Sequence, residues 1–103
     1  MEKVVRDGKV AVLVSSGYGA GWYSWHNSKK LLFHPKLVEL VEQGRKGEIT
    51  SELCCELAGE HVYDGGKDGL YIEWVPEGSL FKIDEYDGYE TLKSREDDEW
   101  LSA

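Results

Sequence analysis

The chain is short of most features that advertise chemistry or compartment. Its only two cysteines in 103 residues are neighbours, Cys54 and Cys55. Adjacent cysteines rarely bridge each other because the geometry is strained, so no disulfide framework exists and a reducing compartment is expected. The three histidines, His26, His34 and His61, form no HxxxH or HExxH spacing, and no CxxC is present, so no metal centre is expected. No apolar run approaches the length of a membrane span, and no apolar leader follows the N-terminus; a soluble, cytoplasmic protein is expected. GxSxG and Gly-Lys-Ser/Thr are both missing. Ser15, Ser16, Ser24 and the histidines therefore have no supporting catalytic motif. The one carboxylate inside an apolar run, Glu73, alternates with Ile72 and Trp74 and is expected on an outer face. The chain reads as a non-enzyme without a cofactor.

Positive charge is also scarce. The net charge is −8, and it is unevenly spread. Residues 1–50 carry eight Lys/Arg and five Asp/Glu, a balance of +3, while residues 51–103 carry four and fifteen, a balance of −11. The acidic half would be repelled by phosphates, which disfavours direct nucleic-acid binding, and would be drawn to a basic surface. The same acids also serve solubility. With 41% apolar and 31% charged residues, the composition is that of a soluble globular chain, and the length suits a single domain over 1–103 with one core.

The chain is rich in glycine and aromatics at one place. In Ser15-Ser16-Gly17-Tyr18-Gly19-Ala20-Gly21-Trp22-Tyr23-Ser24-Trp25 three glycines alternate with other residues among four aromatics. Glycine suits positive φ or a very close approach of backbone to another group. A shaped loop that meets a partner or ligand is one reading. A wide turn whose aromatics fold back onto a sheet is the other. The third glycine comes one place too early for a dinucleotide fingerprint, and no periodic helix follows it. A looser anion nest survives, with Gly17, Gly19 and Gly21 admitting phosphates and Tyr18, Trp22 or Trp25 stacking on a base.

The rest of the chain alternates between clear elements and turn clusters. Val4-Val5 and the run Lys9 to Ser15 flank Asp7-Gly8, a type I′ hairpin signal, and the unbroken Val10–Val14 run predicts a strand covered on both faces. Trp22–His26 could add an edge strand. Pro35 opens a helix carrying the stripe Leu37, Val38, Leu40 and Val41. A second helix spans about Glu48 to Ala58, capped by Thr50 or Ser51 and buried through Ile49, Leu53, Cys54, Leu57 and Ala58. Strands are expected at His61–Tyr63, Leu70–Val75, Leu80–Tyr86 and Tyr89–Leu92, the last two joined by Asp87-Gly88. Glu96–Glu99 reads as a solvated run, and Trp100 and Leu101 as a docked C-terminus. The expected class is α+β: a mostly antiparallel sheet of about five strands with two short helices packed on one face.

The second hairpin supplies the main candidate contact surface. Asp84, Glu85, Tyr86, Asp87, Tyr89 and Glu90 mix carboxylates with phenols around the turn, a combination suited to Arg/Lys-rich protein surfaces. An ordinary solvated hairpin is the competing reading.

The runs Val10-Ala11-Val12-Leu13-Val14-Ser15-Ser16-Gly17-Tyr18-Gly19-Ala20-Gly21-Trp22, Leu32-Phe33-His34-Pro35 and Ile72-Glu73-Trp74-Val75-Pro76-Glu77-Gly78 resemble those of small uncharacterised acidic accessory proteins of bacteriophages and bacteria. The resemblance covers most of the chain and carries no catalytic assignment. It implies a phage-type protein acting in a bacterial cytoplasm, of a kind that inhibits host defence or host enzymes by occluding a basic site or by sequestering a nucleotide signal. Two expectations follow: an acidic inhibitor that occupies a basic, nucleic-acid-handling surface of a host protein, and a nucleotide-binding protein that uses the glycine loop, a reading that a homodimer would favour.

Overall fold

The computed structural model describes residues 2–16, 19, 21–94 and 101–102. Asp7 and Gly8 both take positive φ, 52° and 77°, as a type I′ turn requires. They join β1 (Val5–Arg6) to β2 (Lys9–Ser15). β2 lies between β1 and β3 (Leu70–Pro76) in an antiparallel sheet of three strands. Every residue from Val10 to Ser15 is buried, so the unbroken apolar run is indeed a central strand.

The alternation of β2 divides the core in two. Ala11 and Leu13 cluster with Trp22, Leu31, Leu37, Val38, Leu40, Cys54, Ala58 and Leu70. Val10, Val12 and Val14 cluster with Leu32, Phe33, Val75 and Phe81, with Ile83 and Leu92 packed alongside. The second cluster carries the other sheet: β4 (Leu80–Tyr86) lies between β5 (Tyr89–Ser94) and β6 (Leu101–Ser102). The expected single sheet of about five strands is therefore corrected to two antiparallel sheets of three among the described residues, within the expected α+β class. The break is made by Pro76-Glu77-Gly78-Ser79. Gly78 takes φ of 84°, and the Ser79 N–H donates to the Pro76 carbonyl at 3.1 Å. The chain leaves β3 there and does not pair back onto it.

Among the described residues, four α-helical segments, with short 3-10 turns at Lys46–Glu48 and Lys67–Gly69, fill the region between β2 and β3. α1 (Tyr23–His26) and α2 (Lys29–Leu32) are single turns; α3 (Pro35–Glu42) and α4 (Ser51–Ala58) are the two expected helices. Pro35 stands at the start of α3, where the Lys36 N–H donates to His34 Nδ1 at 3.1 Å. Thr50 caps α4 by accepting from the Leu53 N–H at 3.2 Å, and Gly59 ends it at φ of 75°. Leu31, Leu32 and Phe33 return to the core as expected.

Three local expectations are corrected. Trp22–His26 is not an edge strand: residues 23–26 form α1, closed by Asn27 at φ of 57°, whose N–H donates to the Tyr23 carbonyl at 2.7 Å. Aromatic β-propensity yields to tertiary contacts there. His61–Tyr63 is not a strand; Tyr63 instead stacks on Trp25. Glu73 is half-buried, because its neighbours on the same side of β3, Tyr71 and Val75, belong to the second core cluster. Burial, and then the Glu73 carboxylate, raises the Tyr71 phenol above its ordinary value. The expected acidic run 96–99 and Trp100 lie outside the described residues.

Candidate functional site

The glycine-rich loop and the acidic hairpin, read separately in the sequence, meet in one structure. Asp87 and Gly88 form the turn of the β4–β5 hairpin, both with positive φ, 49° and 92°. That turn fixes the register: Tyr86 faces Tyr89, Glu85 faces Glu90, Asp84 faces Thr91 and Ile83 faces Leu92. Directly paired residues share a face, and neighbours alternate. Glu85 and Glu90 therefore share the inward side with Ile83, Leu92 and Phe81. Tyr86, Tyr89, Asp84 and Thr91 are on the other side.

Glu90 is completely buried. Its Oε1 accepts from the Ser15 N–H at 2.9 Å. Its Oε2 accepts from the Trp22 N–H at 3.1 Å, the Ser24 N–H at 2.8 Å and the Ser24 hydroxyl at 2.6 Å. All of these partners are donors, which matches the acceptor-only chemistry of a carboxylate. They replace the water that burial removes. Around this centre the Ser15 hydroxyl donates to the Gly88 carbonyl at 2.9 Å, and the Gly19 N–H to the Asp87 carbonyl at 2.5 Å. The loop is thus stapled to the hairpin from both its ends.

Glu90 leaves the contact set, because a fully buried carboxylate offers no surface to a partner. Asp84 is ion-paired with Lys93 at 3.0 Å on the outer side, a part-exposed pair worth little to stability. Glu85 accepts the Gly88 N–H at 2.6 Å and the Trp25 indole N–H at 3.4 Å, both on Oε2. Tyr86 is 78% exposed, and Tyr89 and Asp87 are also exposed. In the loop, Trp22 is sealed in the core and leaves the stacking set, its ring packed with the first cluster. Gly21 is buried, and a Cβ there would lie 2.7 Å from Trp25 Cδ1 and 2.5 Å from Ser24 Oγ; its bare backbone makes room for its own neighbours. Gly19 is exposed at φ of 109°. Gly17 and Tyr18 lie outside the described residues. Trp25 keeps 42% exposure and stacks on Tyr63, itself 52% exposed, with ring centroids 5.2 Å apart and planes 28° apart. Nothing in the sequence pointed to Tyr63, which reaches Trp25 from a segment without regular structure.

The serines and histidines named as catalytic candidates have internal tasks. Ser15 and Ser24 donate to Gly88 and Glu90, and His34 caps α3. Cys54 is buried, and burial pushes its thiol up to about 11. Cys55 Sγ lies 3.9 Å from His61 Nδ1. Among the described residues, no three His, Cys, Asp or Glu side chains gather closely enough to hold a metal ion.

His26 locks the joint between α1 and α2. Its Nδ1 accepts the Ser28 N–H at 2.8 Å, which assigns the ring proton to Nε2. The ring packs edge to face with Trp22, centroids 4.7 Å apart. Burial lowers its pKa from 6.5 to about 4. A folded-state value below the unfolded one means that the unfolded chain binds the proton more readily. Stability is therefore full above pH 6.5 and is lost as pH falls from there through about 4. With the ring part-exposed, the loss is about 2 kcal/mol. Urea unfolding across this range checks it: His26→Gln removes that part of the slope, and an unchanged slope in the variant refutes the assignment.

The chain matches no protein-family model, and neither a curated protein nor a solved structure matches it.

Proposed function

We propose that the protein is a non-enzymatic binding module that meets a basic surface of another protein. Its contact edge combines the Trp25–Tyr63 stack with the hairpin tip at Tyr86 and Asp87. The observation that carries this reading is that large aromatic rings stand exposed beside carboxylates on a fixed frame. Trp25 is positioned by Gly21 below and Glu85 at its edge, and Tyr86 projects from a two-residue turn. Rigid aromatics give contact area at low entropic cost, and interface hot spots are enriched in them. The balance of −11 over residues 51–103 supports a basic partner through long-range attraction. Internal bonding of Ser15, Ser24 and His34 supports the non-enzymatic part.

The finer reading is a phage-type accessory protein in a bacterial host that occludes a nucleic-acid-handling surface. The nucleotide-binding alternative has less support, since Trp22, one of its stacking rings, is sealed in the core and the N–H groups of Trp22 and Ser24 beside it are given to Glu90.

Native mass spectrometry of protein isolated from its host should show a stoichiometric protein partner. Association with that partner should slow by about tenfold between low and high salt. Asp84→Lys combined with Asp87→Lys should slow it further at low salt. Association that ignores both salt and charge reversal would rule out the reading.

A further inference from the structure

The geometry points to an arginine side chain as the group that the exposed edge takes from its partner, laid flat on Trp25 with its N–H fork turned to Glu85. This rests on the reading of the protein as a binding module and specifies its anchor.

A comparable site is already filled elsewhere on the surface of the same molecule. Arg6 lies over the Trp74 ring, with its guanidinium carbon 5.4 Å from the centroid. The same guanidinium makes a two-pronged contact with Glu42, Nη1 to Oε2 and Nη2 to Oε1. An indole face and a carboxylate together hold a planar cation, because the ring quadrupole attracts the charge while the carboxylate receives parallel N–H groups.

Trp25 and Glu85 repeat two of those three parts. The indole N–H reaches Glu85 Oε2 at 3.4 Å. An indole N–H lies in the ring plane, so the carboxylate sits at the rim of the ring. Tyr63 stacks on one side of Trp25 with the planes 28° apart and so holds the ring in place, leaving the arginine the part of the indole that stays exposed. Trp25 is nevertheless 42% exposed and Tyr63 52%. Among the described residues no cation lies over the Trp25 ring or pairs with Glu85. Lysine fits less well: its ammonium is a compact, strongly hydrated charge that cannot stack or fork. The carboxylates at Asp84 and Asp87 beside the edge favour either cation by charge, so the platform supplies the discrimination.

The test uses nitrogen-15-labelled protein and follows the indole N–H signals of its four tryptophans, with Trp25 assigned by its loss in Trp25→Phe. Two peptides of equal length and charge are titrated, one of alternating Gly-Arg and one of alternating Gly-Lys, together with a neutral oligosaccharide. The arginine peptide should move the Trp25 signal and bind roughly fivefold more tightly than the lysine peptide. Trp25→Phe should erase most of that preference. Glu85→Gln should do so too, while retaining an amide oxygen for the Gly88 N–H; circular dichroism verifies that both variants fold. Equal binding of the two peptides without movement at Trp25 overturns the arginine anchor and leaves the charge-based reading standing. Failure of both peptides to bind at low salt overturns both. Movement of Trp25 by the oligosaccharide alone replaces the cation with a sugar ring and also overturns the proposal.

Discussion

Glu90→Ala should lower the free energy of unfolding by about 4 kcal/mol, a large share of the ~5–15 kcal/mol typical of a domain. The substitution removes the acceptor for three backbone N–H groups and one hydroxyl, all inside the protein. Each abandoned buried donor costs about 1–3 kcal/mol, reduced by whatever water enters the space. Glu90→Gln is the sharper experiment because it preserves volume. One amide oxygen can still accept, but the NH2 group turns donors toward donors, and the loss should be about 2 kcal/mol. Urea unfolding followed by circular dichroism measures both. Hydrogen exchange then locates the damage: the Trp22 and Ser24 amides should exchange faster in Glu90→Gln, while the β2–β3 ladder stays protected. A Glu90→Ala protein within 1 kcal/mol of the parent would show that the loop is held by something else.

That buried carboxylate also marks where sequence reasoning stopped short. The hairpin and its Asp-Gly turn were legible, and so was the alternation that separates Asp84 and Tyr86 from Glu85. Extending that alternation through the turn pairs Glu90 with Glu85 and sets it in line with Leu92, Ile83 and Phe81. The inward direction of Glu90 was therefore readable from the register. What local sequence does not contain is the set of donors, which arrives from residues 15–24 through the fold. The same gap explains Trp22. An anion nest was a fair reading of a glycine-rich loop, and backbone N–H groups do converge on a carboxylate, but the carboxylate belongs to the same chain. β2, the start of α3 at Pro35, the α4 cap at Thr50 or Ser51, and both Asp-Gly turns were legible because each is set by residues adjacent in sequence, whereas the His34 cap was not read. The division into two sheets was not, because strand partners depend on long-range packing. Tyr63 had no signal at all; its role depends on where an irregular segment falls in space.

The hairpin has a second attachment, and Phe81→Ala should expose it with a loss of about 3–4 kcal/mol. Phe81 is completely buried, meets Phe33 edge to face at 6.2 Å, and shares its cluster with Val10, Val12 and Val14. Truncation removes most of a large apolar side chain from between β4 and β2 and leaves a cavity that two facing sheets cannot easily close. Phe81→Leu should recover about half of the loss, since volume is partly restored. Phe81 pairs with Ser94 near the open end of the hairpin, whereas Glu85 faces Glu90 beside the turn. Four residues along β4 separate these levels, roughly 13 Å. At that distance, without shared partners, the effects of Phe81→Leu and Glu90→Gln should add to within about 0.5 kcal/mol. The apolar anchor would then fix the sheet and the polar anchor would fix the loop and Trp25 at the tip. Strong coupling between the two variants in a double-mutant cycle would instead make the hairpin and loop one indivisible unit. In that case the contact edge could not be loosened without melting the core beneath β4.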